Sequence, residues 1–274
     1  MEQEKIDLLL AEAKVYRDNW QFDQAIANLH QIVNNNPQEE KYKYLLASTY
    51  LEARNTEAAL RYADELLELN TSNKEAYELK GLAYEAEKKY EEAEKNYIKA
   101  IQIDPLFINA RYNLIQLYSN VFFPNRYTSY EPGYKEIYKD PDFVIKHSNI
   151  LLEQIQKKID GNKKLSKLEK RDLEIRHGFT SRLLSIALYK KEEYRECINI
   201  LENSIKHRSS NTKTFPGFFI NDEINIYKLY YLLNDQIGMN EYGNRMREGY
   251  DNEKDYKETI ERITEEVQQE LVYL

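Results

Sequence analysis

The chain has 274 residues, of which 31% are charged and 12% aromatic, with only 8 Gly and 6 Pro and a formal charge of −8. Scarce Gly and Pro beside abundant Glu, Lys, Leu and Ala favour long helices over sheet. The negative balance argues against wholesale binding to nucleic acid or anionic lipid, both of which require a basic surface.

From the first residues to Phe107 three stretches superimpose at a spacing of 34 residues. Ala13, Ala47 and Gly81 fall in register, as do Tyr16, Tyr50 and Tyr84, then Ala25, Ala59 and Ala93, then Pro37, Thr71 and Pro105. A period of this size predicts stacked helical hairpins, each too small to bury its own apolar face. The opening segment is acidic and amphipathic, without the basic and apolar regions of a signal peptide. No run of about 18 apolar residues offers a membrane span. One cysteine, Cys197, excludes an internal disulfide and suits a reducing compartment, so a cytoplasmic location is expected. In the most regular unit, Lys74 to Phe107, Tyr77, Gly81 and Tyr84 share one helix face, and Ala93, Tyr97 and Ala100 share a face on the next helix. Lys88 and Lys89 occupy the turn between, and Pro105 ends the pair.

These residues resemble the tetratricopeptide repeat (TPR) family, whose pattern sets a large residue, a small one, Tyr, Ala, an aromatic and Pro at fixed offsets. The third unit reads Tyr77, Gly81, Tyr84, Ala93, Tyr97, Pro105 and the first Leu9, Ala13, Tyr16, Ala25, Leu29, Pro37. The second keeps Ala47, Tyr50 and Ala59, with Thr71 in place of proline; Glu12 and Lys80 depart from the large residue that precedes the small one. The resemblance covers residues 6–107 and implies an all-α, right-handed superhelical solenoid of helix-turn-helix repeats.

Residues 1–107 are thus read as three regular repeats, and residues 108–160 as a fourth with an inserted loop at about 121–141, where Pro124, Pro132 and Pro141 oppose a continuous helix. A helix is predicted to resume near Asp142. The loop carries Phe122, Phe123, Tyr127, Tyr130 and Tyr134, and two readings stand: the rings form a binding surface, or they plug the solenoid's own groove. Residues 161–250 read as diverged hairpins. A fifth spans about Arg182 to His207, with Tyr194, Cys197, Leu201 and Ser204 aligned on Tyr90, Ala93, Tyr97 and Ala100; a sixth spans about Asp222–Asp235 and Asn240–Tyr250. Residues 251–274 carry Tyr256, Ile260, Ile263, Val267 and Leu271 in one stripe, which suits a C-terminal capping helix.

No constellation for catalysis, metal or cofactor emerges. His30, His147, His177 and His207 lack a second ligand at helical spacing and read as isolated surface or boundary residues. Cys197 occupies a small core position and reads as a buried, inert thiol. Residues 157–171 hold seven basic side chains and are either a solvated turn or a patch for an acidic partner.

By the resemblance, the first helix of each hairpin lines a concave face. The candidates are Asp7, Leu10, Lys14, Arg17 and Asp18 in the first repeat, and Lys41, Tyr44, Ser48, Leu51 and Glu52 in the second. Glu75, Glu78, Leu82, Glu85 and Ala86 follow in the third, and Asn109, Tyr112, Asn113, Gln116, Ser119 and Asn120 in the fourth. Family members that grip chaperone carboxylate tails place Lys, Asn and Arg at positions that here hold Leu10, Lys14, Leu45, Glu75 and Leu79, or one repeat on Tyr44, Ser48, Leu79, Asn109 and Asn113. Neither frame offers a clamp for a carboxylate. The resemblance implies a non-catalytic scaffold or adaptor binding a protein or peptide, and the acidic cluster of the third repeat favours a basic segment on that ligand. The alternatives are a structural subunit of a stable assembly or homo-oligomer, and a ligand-responsive sensor.

Overall fold

Among the described residues five other than glycine adopt left-handed backbone conformation: Trp20, Arg54, Lys88, Glu192 and Asn234, with φ between 52° and 62°. The first three are 34 residues apart, and each closes a helical hairpin in the same way. The amide one residue further on donates five residues back: Gln21 to the Tyr16 carbonyl at 2.8 Å, Asn55 to Tyr50 at 2.9 Å and Lys89 to Tyr84 at 2.8 Å. This is the helix-ending device in which one left-handed residue returns the chain onto orphan carbonyls. Glu193 repeats the bond to Leu188 at 3.0 Å, and Asp235 to Tyr230 at 2.9 Å.

The computed structural model describes residues 3–119, 140–162, 164–208, 217–248 and 253–272. Among these residues all regular structure is helical, in two units, Met1–Lys139 and Asp140–Leu274. The aromatic loop with Phe122, Phe123, Tyr127, Tyr130 and Tyr134 lies outside the described residues.

The first unit contains α1 (Gln3–Asp18), α2 (Phe22–Asn35), α3 (Glu40–Glu52), α4 (Thr56–Leu69), α5 (Lys74–Ala86), α6 (Tyr90–Ile103) and α7 (Ile108–Ser119). Each helix packs on the next, and the first helices of successive hairpins also touch, α3 on α5 and α5 on α7. The in-register small residues fill the crossing points: Ala13, Ala25, Ala47, Ala59 and Ala93 are all buried. Gly81 is required because a Cβ there would stand 2.4 Å from Tyr97 Cε1. Thr71 can replace proline because Asn70 makes the turn itself, its Oδ1 accepting the Ser72 amide at 3.0 Å, as Asp104 Oδ1 accepts Leu106 at 2.9 Å.

The second unit contains α8 (Pro141–Gly161), α9 (Lys167–Lys190), α10 (Tyr194–Arg208), α11 (Gly217–Leu232), α12 (Gln236–Glu248) and α13 (Glu253–Val272). The turn at Glu192 aligns this hairpin as expected, with Cys197, Leu201 and Ser204 buried where Ala93, Tyr97 and Ala100 are buried. Asn234 fixes the sixth register, matching Tyr227 and Gly243 to Gly81 and Tyr97. The large and small partners have exchanged helices, and a Cβ on Gly243 would lie 3.5 Å from the Tyr227 ring.

Several boundaries differ from the expected ones. The first helix of the fifth hairpin begins at Lys167, not near Arg182, because Ser166 and Glu169 form a reciprocal capping box there. The basic stretch 157–171 is accordingly two helix ends around a short turn. α11 starts at Gly217 and α12 at Gln236, each earlier than the pattern suggested.

Candidate functional site

The first helices of the first unit hold the predicted binding residues. Asn73 anchors α5: its Oδ1 accepts the Ala76 amide at 2.7 Å, and its Nδ2 donates to Glu40 at 2.7 Å, which ties the starts of α5 and α3 together. Glu75 and Glu78 follow in the first turns of α5.

Two ladders bridge adjacent first helices. Arg17 at the end of α1 donates to both carboxylate oxygens of Glu52 at the end of α3, through Nε at 3.0 Å and Nη2 at 2.5 Å. Asn113 of α7 donates to Glu78 of α5 at 3.2 Å, and Glu78 is buried. Tyr44 lies half-buried between these ladders. Burial first, and then the negative charges of Glu78 and Glu75, push its phenol up to about 12; Arg17 opposes and Glu52 adds to the rise. Leu10, Tyr44 and Leu51 pack on the core of the unit while remaining partly open, and Leu82 is half-buried. Gln116 donates to the Tyr112 hydroxyl at 3.1 Å one turn away, and Lys14 is exposed.

Two candidates point elsewhere. Glu85 accepts a 2.8 Å hydrogen bond from Tyr97 of α6, inside the hairpin, and burial raises its carboxyl above the usual range. Ser48 donates to the Leu45 carbonyl of its own helix at 2.9 Å. Arg17 with Glu52, and Asn113 with Glu78, are thus two polar pairs whose charges, together with Glu75, act on the half-buried Tyr44 phenol. The carboxylates of Glu52, Glu75 and Glu78 outnumber the Arg17 guanidinium, which leaves the local charge negative.

His30 is not isolated. It lies on α2 with Nε2 2.7 Å from the Tyr50 hydroxyl and Nδ1 3.4 Å from that of Tyr62. The two tyrosine rings stack with centroids 5.8 Å apart. Burial, and then the Arg61 guanidinium, hold His30 below the ordinary imidazole value. The 34-residue register could have revealed this, since Tyr50 belongs to the repeating tyrosine series that closes each hairpin. Cys197 is buried and donates to the Ser185 carbonyl at 2.7 Å, and burial pushes its thiol up to about 12, which removes it as a nucleophile at neutral pH. Among the described residues no cluster of His, Cys, Asp and Glu could hold a metal ion, and no helix is long and apolar enough to cross a membrane.

The model of the tetratricopeptide repeat family matches residues 10–67 and 44–106. No curated protein sequence matches the chain. Among solved structures, pilF of Pseudomonas aeruginosa is similar with a TM-score of 0.54 and 15% identity, over 94% of this chain and 98% of that one. YrrB, described as a TPR protein with an unusual peptide-binding site, is similar with a TM-score of 0.52 and 13% identity, over 85% and 97%. The first TPR of Spaghetti (RPAP3), bound to an HSP90 peptide, reaches 23% identity over 45% of this chain and 98% of that one, with a TM-score of 0.39.

Proposed function

We propose that the protein, whose residues 10–106 match the model of the tetratricopeptide repeat family, is a non-catalytic scaffold binding a peptide or protein segment on the face of α1, α3, α5 and α7. The observation that carries this reading is the pair Arg17–Glu52 bridging α1 and α3 and the pair Asn113–Glu78 bridging α7 and α5, whose charges act on Tyr44, with the half-buried Leu10, Leu51 and Leu82 on the same helices. Apolar spots fix the ligand by burial, and the carboxylates select Lys or Arg on it. A chaperone-type carboxylate tail is disfavoured, because the buried Glu78 would stand against the incoming anion and Leu45 and Leu79 replace the polar clamp positions.

Selection of displayed random peptides on the full chain tests this. Enriched sequences are expected to carry Lys or Arg, and the triple variant Tyr44→Ala, Leu82→Ala, Tyr112→Ala should lose their binding by at least about tenfold with unchanged helicity. Charge-indifferent peptides, or full retention of binding by the variant, would exclude the assignment.

A second reading, a subunit of a stable assembly, draws on the exposed Leu8 and Val15 along α1. Light scattering distinguishes the two, since a monomer at micromolar concentration removes the homo-oligomeric form.

A further inference from the structure

Leu168, Ile175 and Phe179 on α9 are 76%, 49% and 39% exposed. Their spacing of seven and four residues puts them on one face of the helix. In the register fixed by Glu192, residues 178–190 correspond to the first helix of a hairpin, so residues 167–177 are about three additional turns. α9 packs on α8 and on α10, and these three side chains stay open as a strip beside that packing.

The charge beside this strip is positive. Lys164 in the preceding turn, and Lys167 and Arg171 on the helix, are exposed, and among the described residues their side chains form no ion pair. The nearby carboxylates are already engaged. Glu169 closes the capping box with Ser166 at 2.9 Å, Asp172 accepts from Arg176 at 2.8 Å, and Glu174 lies 4.0 Å from Lys170.

We propose that the N-terminal half of α9 is a docking strip for an acidic, amphipathic helical segment of a protein partner. Apolar side chains of that segment, spaced three and four apart, cover Leu168, Ile175 and Phe179, while Asp or Glu along its edge meets Lys164, Lys167 and Arg171. Three apolar side chains in a single line along one helix suit the seam of one partner helix rather than the broad apolar face that lies in a bilayer. A nucleic acid would find one exposed ring on the strip, Phe179, where base stacking uses several. This surface belongs to the second unit and selects charge opposite to that of the first.

Anisotropy titrations of the full chain with two labelled helical peptides test the proposal. Both peptides carry the same leucine stripe, one flanked by Glu and its twin by Lys. The Glu peptide should bind at least about tenfold more tightly than its twin and weaken as salt rises from about 50 to 300 mM. Leu168→Asp with Ile175→Asp should lose about tenfold, and Lys167→Glu with Arg171→Glu should reverse the preference toward the Lys peptide. That reversal cannot arise from unfolding. Equal binding of the two peptides, or an unchanged preference after charge reversal, overturns the proposal. So does displacement of the Glu peptide by phosphatidylserine vesicles or by oligouridylate.

Discussion

Gly81 cannot become alanine without moving Tyr97, whose Cε1 and Cδ1 would lie 2.4 and 2.6 Å from the added Cβ. Overpacking of this kind costs about 1–3 kcal/mol, and Gly81→Ala should lower stability by that amount in urea titrations. Adding Tyr97→Leu should recover much of the loss, because the first hairpin runs with Ala13 and Leu29 at the same two positions, both fully buried. A strictly additive double variant would show that ring volume is not the cause. His30 carries a pH dependence of defined sign. Its folded value is depressed, chiefly by burial and then by Arg61, with the Tyr50 and Tyr62 hydroxyls facing it. The unfolded chain therefore takes up a proton near the ordinary pKa of about 6.5 that the folded chain resists. The contribution is complete above that pH and is lost as pH falls through it toward the folded value. Between about pH 6.5 and 5 the wild type should lose stability more steeply than His30→Phe; identical slopes would remove His30 as the origin.

At the scale of elements, the hairpins differ in where their outer faces find cover. Leu8 and Val15 on α1 occupy the register positions of Tyr42 and Thr49 on α3, of Ala76 and Ala83 on α5, and of Ala110 and Leu117 on α7. The later pairs are all buried, whereas Leu8 and Val15 are 60% and 56% exposed. The preceding hairpin supplies that burial, which is why one repeat cannot stand alone. In the second unit the long α9 depends on its start. Ser166→Ala removes the hydroxyl that accepts the Glu169 amide at 3.2 Å and should cost about 1 kcal/mol in thermal unfolding, with partial rescue by Ser166→Asp. The signal was legible as Ser166-Lys-Leu-Glu169, a capping signature, but it sits within a basic stretch that reads equally well as a loop. Cys197 is buried, as its alignment on Ala93 implies, because the hairpin template reaches across the intervening sequence. The sixth hairpin was harder to place, since Tyr227 and Gly243 reverse the usual order of large and small side chains.

For the whole molecule, the two units repeat one local device with different surface chemistry. The first presents carboxylates around Tyr44, and the second presents lysine and arginine beside an apolar strip on α9. The sequence by itself determined the all-helical class, the register of the first three hairpins and the positions of their small crossing residues. Those features follow from local periodicity and from the steric limit on how near two helices can approach. Tertiary structure decided the rest. It drew Glu85 toward Tyr97, joined Glu78 to Asn113 across 35 positions, and set His30 against the stacked pair Tyr50 and Tyr62. A side chain on a helix can reach either of two neighbouring helices from nearly the same sequence position. Its choice follows from the packing of all three helices, and a pattern along one chain does not contain that information.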